Sequence, residues 1–481
     1  MSWPFGGLRR SSPGPKPQEA HDPRGQRLLG LSLETNQPIW APKGHSLLLA
    51  AAGGGKTSCG SMVWLFSYAA SEPHKAVLVL DSKNGEHALQ AANMLARLGR
   101  KVAIIDETGV LPPDCPHLVR LNPLAPAIWA HEHSPGTLLY AIDTINHALI
   151  AEPAESDDRN LYFRAWPRKL NAFALRALLK RNTAIAVPGA MWALLSDPVK
   201  LRKFAAIEAE EGDPAHKALA SNILEMAGHE HWPQHLEAAQ RSLELFSAGT
   251  SLHDVGNGAT TTHADLIREG AIIFLVGNQA HVSRLGAFYA MHLLAFCNAL
   301  YHGAGSLRII ADEFTNAPLK SLVESLTTLR AFGCEVAMLA QSRSEIERKF
   351  GRLEVQTIEE NAIVKQWFGF SSFDEAERVS KAMGEEYAIM SSLGADTESL
   401  RLQTNLQLNR QRNMSAAELM SLPSHVQLNN VKGLGFFLSL KIGQQNVAPY
   451  CHLIAPNTLE GGRLAPDPKI TLTTPNQGYA S

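Results

Sequence analysis

Leu47 to Ser58 reads LLLAAAGGGKTS, an apolar run that ends in three glycines, a lysine and a threonine. Residues of these types in this order suit the binding of phosphate. Gly53, Gly54 and Gly55 carry no Cβ, so the backbone can take positive φ and aim its N–H groups at one anion. Lys56 would then reach the β- and γ-phosphates of a nucleotide, and the Thr57 hydroxyl would ligate Mg²⁺. Ser58 opens SCGSMVWLFSYAA, whose helical pattern would set a positive N-terminal end against the anion. The set that would hold the nucleotide is therefore Ala50, Gly53, Gly54, Gly55, Lys56, Thr57 and Ser58. Ala50 stands where the strict G-x-x-x-x-G-K-[ST] spacing has its first glycine. The competing explanation is a glycine-rich turn with a fortuitous Gly-Lys-Thr.

A second constellation lies about 250 residues further on, where LRIIADE (Leu307–Glu313) ends an apolar strand in two carboxylates. Asp312 is the natural partner for Mg²⁺ through water, and Glu313 beside it can polarise an attacking water. The same pair would also suit a helix N-cap. Gln341 follows the next apolar strand, EVAMLAQS, where a glutamine is common; a polar residue there would touch the γ-phosphate if the chain is a RecA-like ATPase. Arg330 precedes that strand, while Arg343 and Arg348 follow it. In a ring, one of these would reach a neighbour's nucleotide; alone, each reads as a surface arginine.

Alternating strands and helices are needed to position these groups. AVLVLD (Ala76–Asp81), a helical SKNGEHALQAANMLARLGR and KVAIID (Lys101–Asp106) give a β-α-β rhythm after the glycine loop. That rhythm predicts a parallel sheet covered by helices, with ligands beyond the carboxyl ends of the strands. Residues 131–250 lose the strand pattern and read as an all-α insertion. Its His131, His133, His229, His231 and His235 match no zinc spacing and read as loop or surface residues. GAIIFLVG, LRIIADE, EVAMLAQS, AIVKQWFGF and HVQLNNVKGLGFFLSLKI return the chain to strands.

Composition sets outer limits. The chain has 481 residues and a formal net charge of −2, so nucleic-acid binding must come from a local patch or from assembly. Five scattered cysteines without a C-x-x-C fit free thiols in a reducing cytoplasm. No uncharged apolar run reaches ~18 residues, and the N-terminus has no apolar signal core. Residues 1–28 form a basic, Pro- and Gly-rich tail, and residues 456–481 a loose C-terminal one.

Taken in order, the motifs AAAGGGKTS, VLVLDSKNGEHALQAANMLARLGRKVAIID, LNPL, IIADEF, LRAFGCEVAMLAQSRSEIERKFG and RNMSAAELMSLPSHVQLNNVKGLGFF resemble the type IV secretion system coupling proteins. The family's D-x-K-G-E appears as Asp81-Ser82-Lys83-Asn84-Gly85-Glu86, one residue longer. Its Q-S-x-x-Q-L-x-x-x-Y-G is similar to the run from Gln341 to Gly351, and Phe368–Gly384 resembles its strand-to-helix segment. The likeness spans roughly residues 30–450. It implies an α/β, RecA-like P-loop NTPase with a mainly parallel twisted sheet, interrupted by an all-α domain. The nucleotide-binding parts would be 29–130 and 251–455, around the 131–250 insertion.

The resemblance also implies an ATP hydrolase with ATP and Mg²⁺ as cofactors. Glu313, Lys56, Gln341 and Arg330 would be catalytic, Arg330 in trans, and Thr57 and Asp312 would hold the metal. The implied function is to recruit relaxase–DNA complexes or protein effectors and deliver them to a type IV secretion channel. Its partners would be the channel or inner-membrane components, the relaxase–DNA complex or effectors, single-stranded DNA, and further copies in a homo-hexamer. The expected location is cytoplasmic, peripheral at the inner face of a bacterial inner membrane through partners. Family members usually begin with transmembrane helices, and none is read here. A different RecA-like DNA translocase, or a nucleotide-binding substrate receptor that hydrolyses little, are the other readings.

Overall fold

A computed structural model of the chain describes residues 27–72, 74–150, 161–316, 320–395 and 402–444, with the pairs 459–460 and 463–464. The tails expected at 1–28 and 456–481 lie almost wholly outside the described residues. Arg27 and Leu28, read as tail, are exceptions: Leu28 is fully buried at the start of a sheet strand, and Arg27 is buried beside Ser46, with its guanidinium 4.4 Å from the Trp64 ring centroid.

The sheet strands are β1 (Leu28–Ser32), β2 (Pro38–Trp40), β3 (Ser46–Leu49), β4 (Ala76–Asp81), β5 (Val102–Ile105), β6 (Ile272–Val276), β7 (Leu307–Asp312), β8 (Cys334–Ala340) and β9 (Val364–Trp367). A separate antiparallel hairpin follows, formed by β10 (Glu385–Ala395) and β11 (Leu402–Arg412), and then β12 (Val426–Val431) and β13 (Gly435–Leu440) close the sheet. Its order is β2-β1-β13-β12-β9-β3-β8-β7-β4-β6-β5. From β9 to β5 all neighbours are parallel; β12, β13, β1 and β2 extend the sheet antiparallel. The expected α/β fold with a mainly parallel sheet is therefore observed.

Burial on both faces explains why the central strands read as continuous apolar runs. Side chains alternate across the sheet. Leu78 and Leu80 of β4, Ile309 of β7 and Met338 of β8 pack on one face; Val77, Val79, Ile310 and Leu339 pack on the other. The antiparallel edge carries a buried polar ladder, in which Gln427 donates to Leu29 O at 2.7 Å and Asn429 donates to Ser439 Oγ at 2.8 Å. A slip of one residue would orphan these groups, so the ladder specifies the register.

Helices α1 (Met62–Ser71) and α2 (Glu86–Arg97) follow β3 and β4. Between β5 and β6 every described element is helical, from Ala125–His133 to His263–Arg268. Phe173, Leu201 and Phe246 of this segment join the core on the Leu78 face. His131 and His133 are on a helix rather than a loop, and His235 is buried against Trp166, with ring centroids 5.8 Å apart. A helix periodicity that puts Trp232, His235, Leu236 and Ala239 on one side accounts for that burial. No described helix is long and apolar enough to cross a membrane.

Just past β5, Glu107 has a carboxylate oxygen that is buried without a hydrogen-bond partner. Burial pushes its carboxyl up to about 7, against the pull of Arg120 and with the help of Asp106 and Asp254. The folded protein then binds this proton more tightly than the unfolded chain, so Glu107 lowers stability as pH rises from about 4.5 through 7. Glu107→Gln should be more stable than wild type in urea at pH 8, and the gain should vanish at pH 4. A gain at pH 4 that disappears at pH 8 would contradict this.

Candidate nucleotide site

The carboxyl ends of β3, β8, β7 and β4 lie side by side. Register pairs Leu49 with Ala340, Leu339 with Asp312, and Asp312 with Asp81. Groups 255 residues apart in the chain thus emerge on one rim, the crevice where open parallel sheets place their ligands.

The glycine loop leaves β3 through Ala50, which is buried and whose N–H donates to Ala340 O at 3.1 Å. Ala50 is absent from the positive-φ residues, so it continues the ladder, and a methyl is tolerated where the strict motif has glycine. The left-handed turns fall at Gly53 (φ 75°) and Gly55 (φ 85°) instead. A Cβ on Gly54 would come within 3.0 Å of Ala51 O and 3.3 Å of Phe368 O. From the end of β13, Lys441 donates to Gly54 O at 3.2 Å and Phe368 O at 3.4 Å, bracing the loop from the antiparallel edge. The chain then winds as a π-turn over Lys56–Ser61 before α1 begins. Wide turns of this kind are rare and concentrate at functional sites. Ser58 is exposed at the start of this helical segment.

Lys56 Nζ is ion-paired to Glu313 Oε1, and Thr57 Oγ1 donates to Asp312 Oδ2 at 2.9 Å. Glu313 has φ 68°, a left-handed conformation that costs a non-glycine residue about 1–2 kcal/mol. Such strain persists only where the surroundings hold it. Asp312 is buried, and its Oδ1 has no hydrogen-bond partner. Burial opposes ionisation of Asp312, but His87, Lys83, Lys56 and the Thr57 hydroxyl outweigh it and hold the carboxyl below its usual range.

Two members of this cluster were not singled out as site residues in the sequence. Lys83 Nζ donates to Thr57 Oγ1 at 3.0 Å and to Asp312 Oδ2 at 3.3 Å. His87, fully buried in the first turn of α2, has Nδ1 3.3 Å from Asp81 Oδ1, and Nε2 2.7 Å from Ser61 Oγ and 3.7 Å from Asp312 Oδ2. Burial disfavours the imidazolium, yet the Asp81 hydrogen bond and charge, with Asp312 and Glu86, raise its pKa above the ordinary value. The signal for Lys83 was the strand-end run Asp81-Ser82-Lys83-Asn84-Gly85-Glu86, which His87 directly follows. Consecutive left-handed residues, Asn84 (φ 57°) and Gly85 (φ 73°), absorb its extra residue. Asn84 also accepts from Gln279 N at 2.9 Å.

Gln341 stands at the end of β8 with its side chain exposed, and its backbone N–H donates to Glu345 Oε2 at 3.3 Å. Arg330 is not brought to this rim. It is exposed on the helix Leu326–Ala331 at the amino end of β8, where it lines a shallow pocket with Lys43, Arg308 and Glu335. The seven residues of β8 put about 23 Å between the two ends.

Fold and cradle define a RecA-like P-loop protein. Residues 306–424 match the family model described as the TraM recognition site of TraD and TraG. The fold is that of the bacterial conjugative coupling protein TrwBdeltaN70 in its unbound monoclinic form, at TM-score 0.61 and 17% identity over 83% of this chain and 84% of that one. Plasmid coupling protein TrwB with the non-hydrolysable ATP analogue ADPNP matches at TM-score 0.60 and 17% identity, covering 83% and 85%. TrwB with ADP and Mg²⁺ matches at 0.60 and 16%, covering 83% and 84%. No protein of curated function matches the chain in sequence. These findings support the type IV coupling protein family that the sequence motifs point to.

The charge cluster makes a thermodynamic prediction. Asp312→Ala leaves His87 and Lys83 without their shared counter-ion, and should cost about 3 kcal/mol in urea unfolding. An unchanged midpoint would show that the cluster contributes nothing to folding.

Proposed function

We propose that this protein is an ATPase of the type IV coupling class. It binds Mg²⁺-ATP on the glycine rim and uses its hydrolysis to move a relaxase-bound DNA strand or a protein effector into a secretion channel. The observation that carries this reading is the meeting of Lys56, Thr57, Asp312 and Glu313 at one rim, from two strands far apart in sequence. The cradle suits the group it would hold. A Cβ on Gly54 would crowd two backbone oxygens, and the buried Asp312 Oδ1 has no hydrogen-bond partner of its own. Thr57 and Asp312 would hold Mg²⁺, which would supply neutralisation of the phosphate charge. Lys56 would orient the terminal phosphates, and Glu313, released from Lys56, would accept a proton from the attacking water. Gln341 would sense the γ-phosphate from the end of β8.

In this reading the nucleotide-binding parts 29–130 and 251–455 flank a substrate-engaging helical part, 131–250. The chain works as a homo-hexamer. Arg330 lies at the far end of its own β8, so it would serve a neighbouring copy's nucleotide. The family match over 306–424 favours a relaxosome-associated protein as a partner.

ATPase assays with and without single-stranded DNA test this. Lys56→Ala should lose nucleotide binding. Glu313→Gln should keep binding while turnover falls ~100-fold or more, as expected for removal of a general base. Equal residual hydrolysis in wild type and both variants would overturn the motor and leave a nucleotide-dependent receptor as the better account.

A further inference from the structure

The two oxygens suited to hold the metal already share a cation. Lys83 Nζ donates to Thr57 Oγ1 at 3.0 Å and Asp312 Oδ2 at 3.3 Å, and lies 3.8 Å from Glu313 Oε1. Its side chain is 25% exposed, whereas that of Asp312 is 2% exposed, so the lysine reaches inward from the rim to a carboxylate that cannot leave. Lys83 belongs to the turn after β4, whose backbone is fixed by the left-handed Asn84 and Gly85 and by hydrogen bonds of Asn84 to Gly277 and Gln279, so it is the long lysine side chain that can be seated or withdrawn. The unpartnered Asp312 Oδ1 is a second, independent sign that this carboxylate is not fully satisfied by the protein.

From this arrangement we infer that Lys83 is an internal stand-in for the divalent cation, competing with Mg²⁺ for Thr57 and Asp312 and leaving them when the metal binds. The inference rests on the nucleotide-site reading and adds a residue to it. An ammonium seated on Thr57 Oγ1 and a divalent ion bound to that hydroxyl beside Asp312 compete: both need the Thr57 oxygen lone pairs, and their like charges repel at that range. While Lys83 is seated, Thr57 and Asp312 remain aligned without metal. When Mg²⁺ arrives with a nucleotide, the ammonium is expelled from Thr57 and Asp312, which ties metal arrival to a change of the Lys83 side chain at the rim.

The test is a Mg²⁺ titration with two readouts, binding of a fluorescent ADP analogue and the thermal unfolding midpoint without nucleotide. It uses full-length wild type, Lys83→Met and Lys83→Gln. The neutral variants should need about tenfold less Mg²⁺ for half-maximal ADP binding, the size expected on removing one competing charge from a partly buried site. In EDTA they should melt below wild type, and Mg²⁺ alone should raise their midpoints more than it raises that of wild type. Lys83→Gln covers the case in which an apolar side chain on the turn disturbs folding. A Mg²⁺ requirement that is unchanged or higher in folded variants, while wild type binds ADP, would overturn the inference about Lys83 alone. Failure of wild type to bind ADP at any Mg²⁺ concentration would overturn the nucleotide-site reading beneath it.

Discussion

The buried carboxylate of Asp312 organises the rim. Asp312 ends a strand that is apolar on both faces, so its carboxylate is held in a low-dielectric position and must be compensated there. Lys56, Lys83 and His87 supply that compensation from the glycine loop, the β4–α2 turn and the first turn of α2. Thr57 supplies the hydrogen bond. Each of these elements must therefore face the same point, and the parallel register that sets Asp81, Asp312 and Leu339 level lets them do so. Once those strands align, the phosphate cradle and the carboxylate pair are neighbours.

Most of this was readable from the chain. GGGKTS, the carboxylates after LRIIA and the β-α-β rhythm pointed to the residues that meet at this rim and to the parallel sheet, because buried parallel strands and tight glycine turns leave strong local signals. What stayed hidden was non-local. Nothing in Leu28–Ser32 says that it pairs with Gly435–Leu440, some 400 residues away, or in Pro38–Trp40 that it closes that edge of the sheet, and short edge strands have little pattern of their own. Lys83 and His87 were visible as letters of a motif, but their roles appear only when the end of β4 is set beside the end of β7. The buried His235 shows the same limit: a polar residue on the apolar side of a helix reads as surface until the packing partner, here Trp166, is known.

The two rims of the sheet carry different chemistry. At the carboxyl end, cations surround carboxylates that suit a metal and phosphates. At the amino end, Arg308 is buried between Glu72 and Glu335, and Arg330 stands free at the surface beside it. One chain thus carries the glycine loop at one rim and an exposed arginine at the other. Head-to-tail assembly would bring such surfaces together, the heterologous contact that closes into rings.

The most direct measurement of the central claim is a crystal structure with Mn²⁺ and a non-hydrolysable ATP analogue, read by the anomalous signal of the metal. The account predicts one Mn²⁺ peak beside Thr57 Oγ1 and the Asp312 carboxylate, with phosphates over Gly53–Lys56 and the Lys56–Glu313 ion pair opened. Nucleotide bound elsewhere, or an intact Lys56–Glu313 pair beside an empty glycine loop, would contradict it.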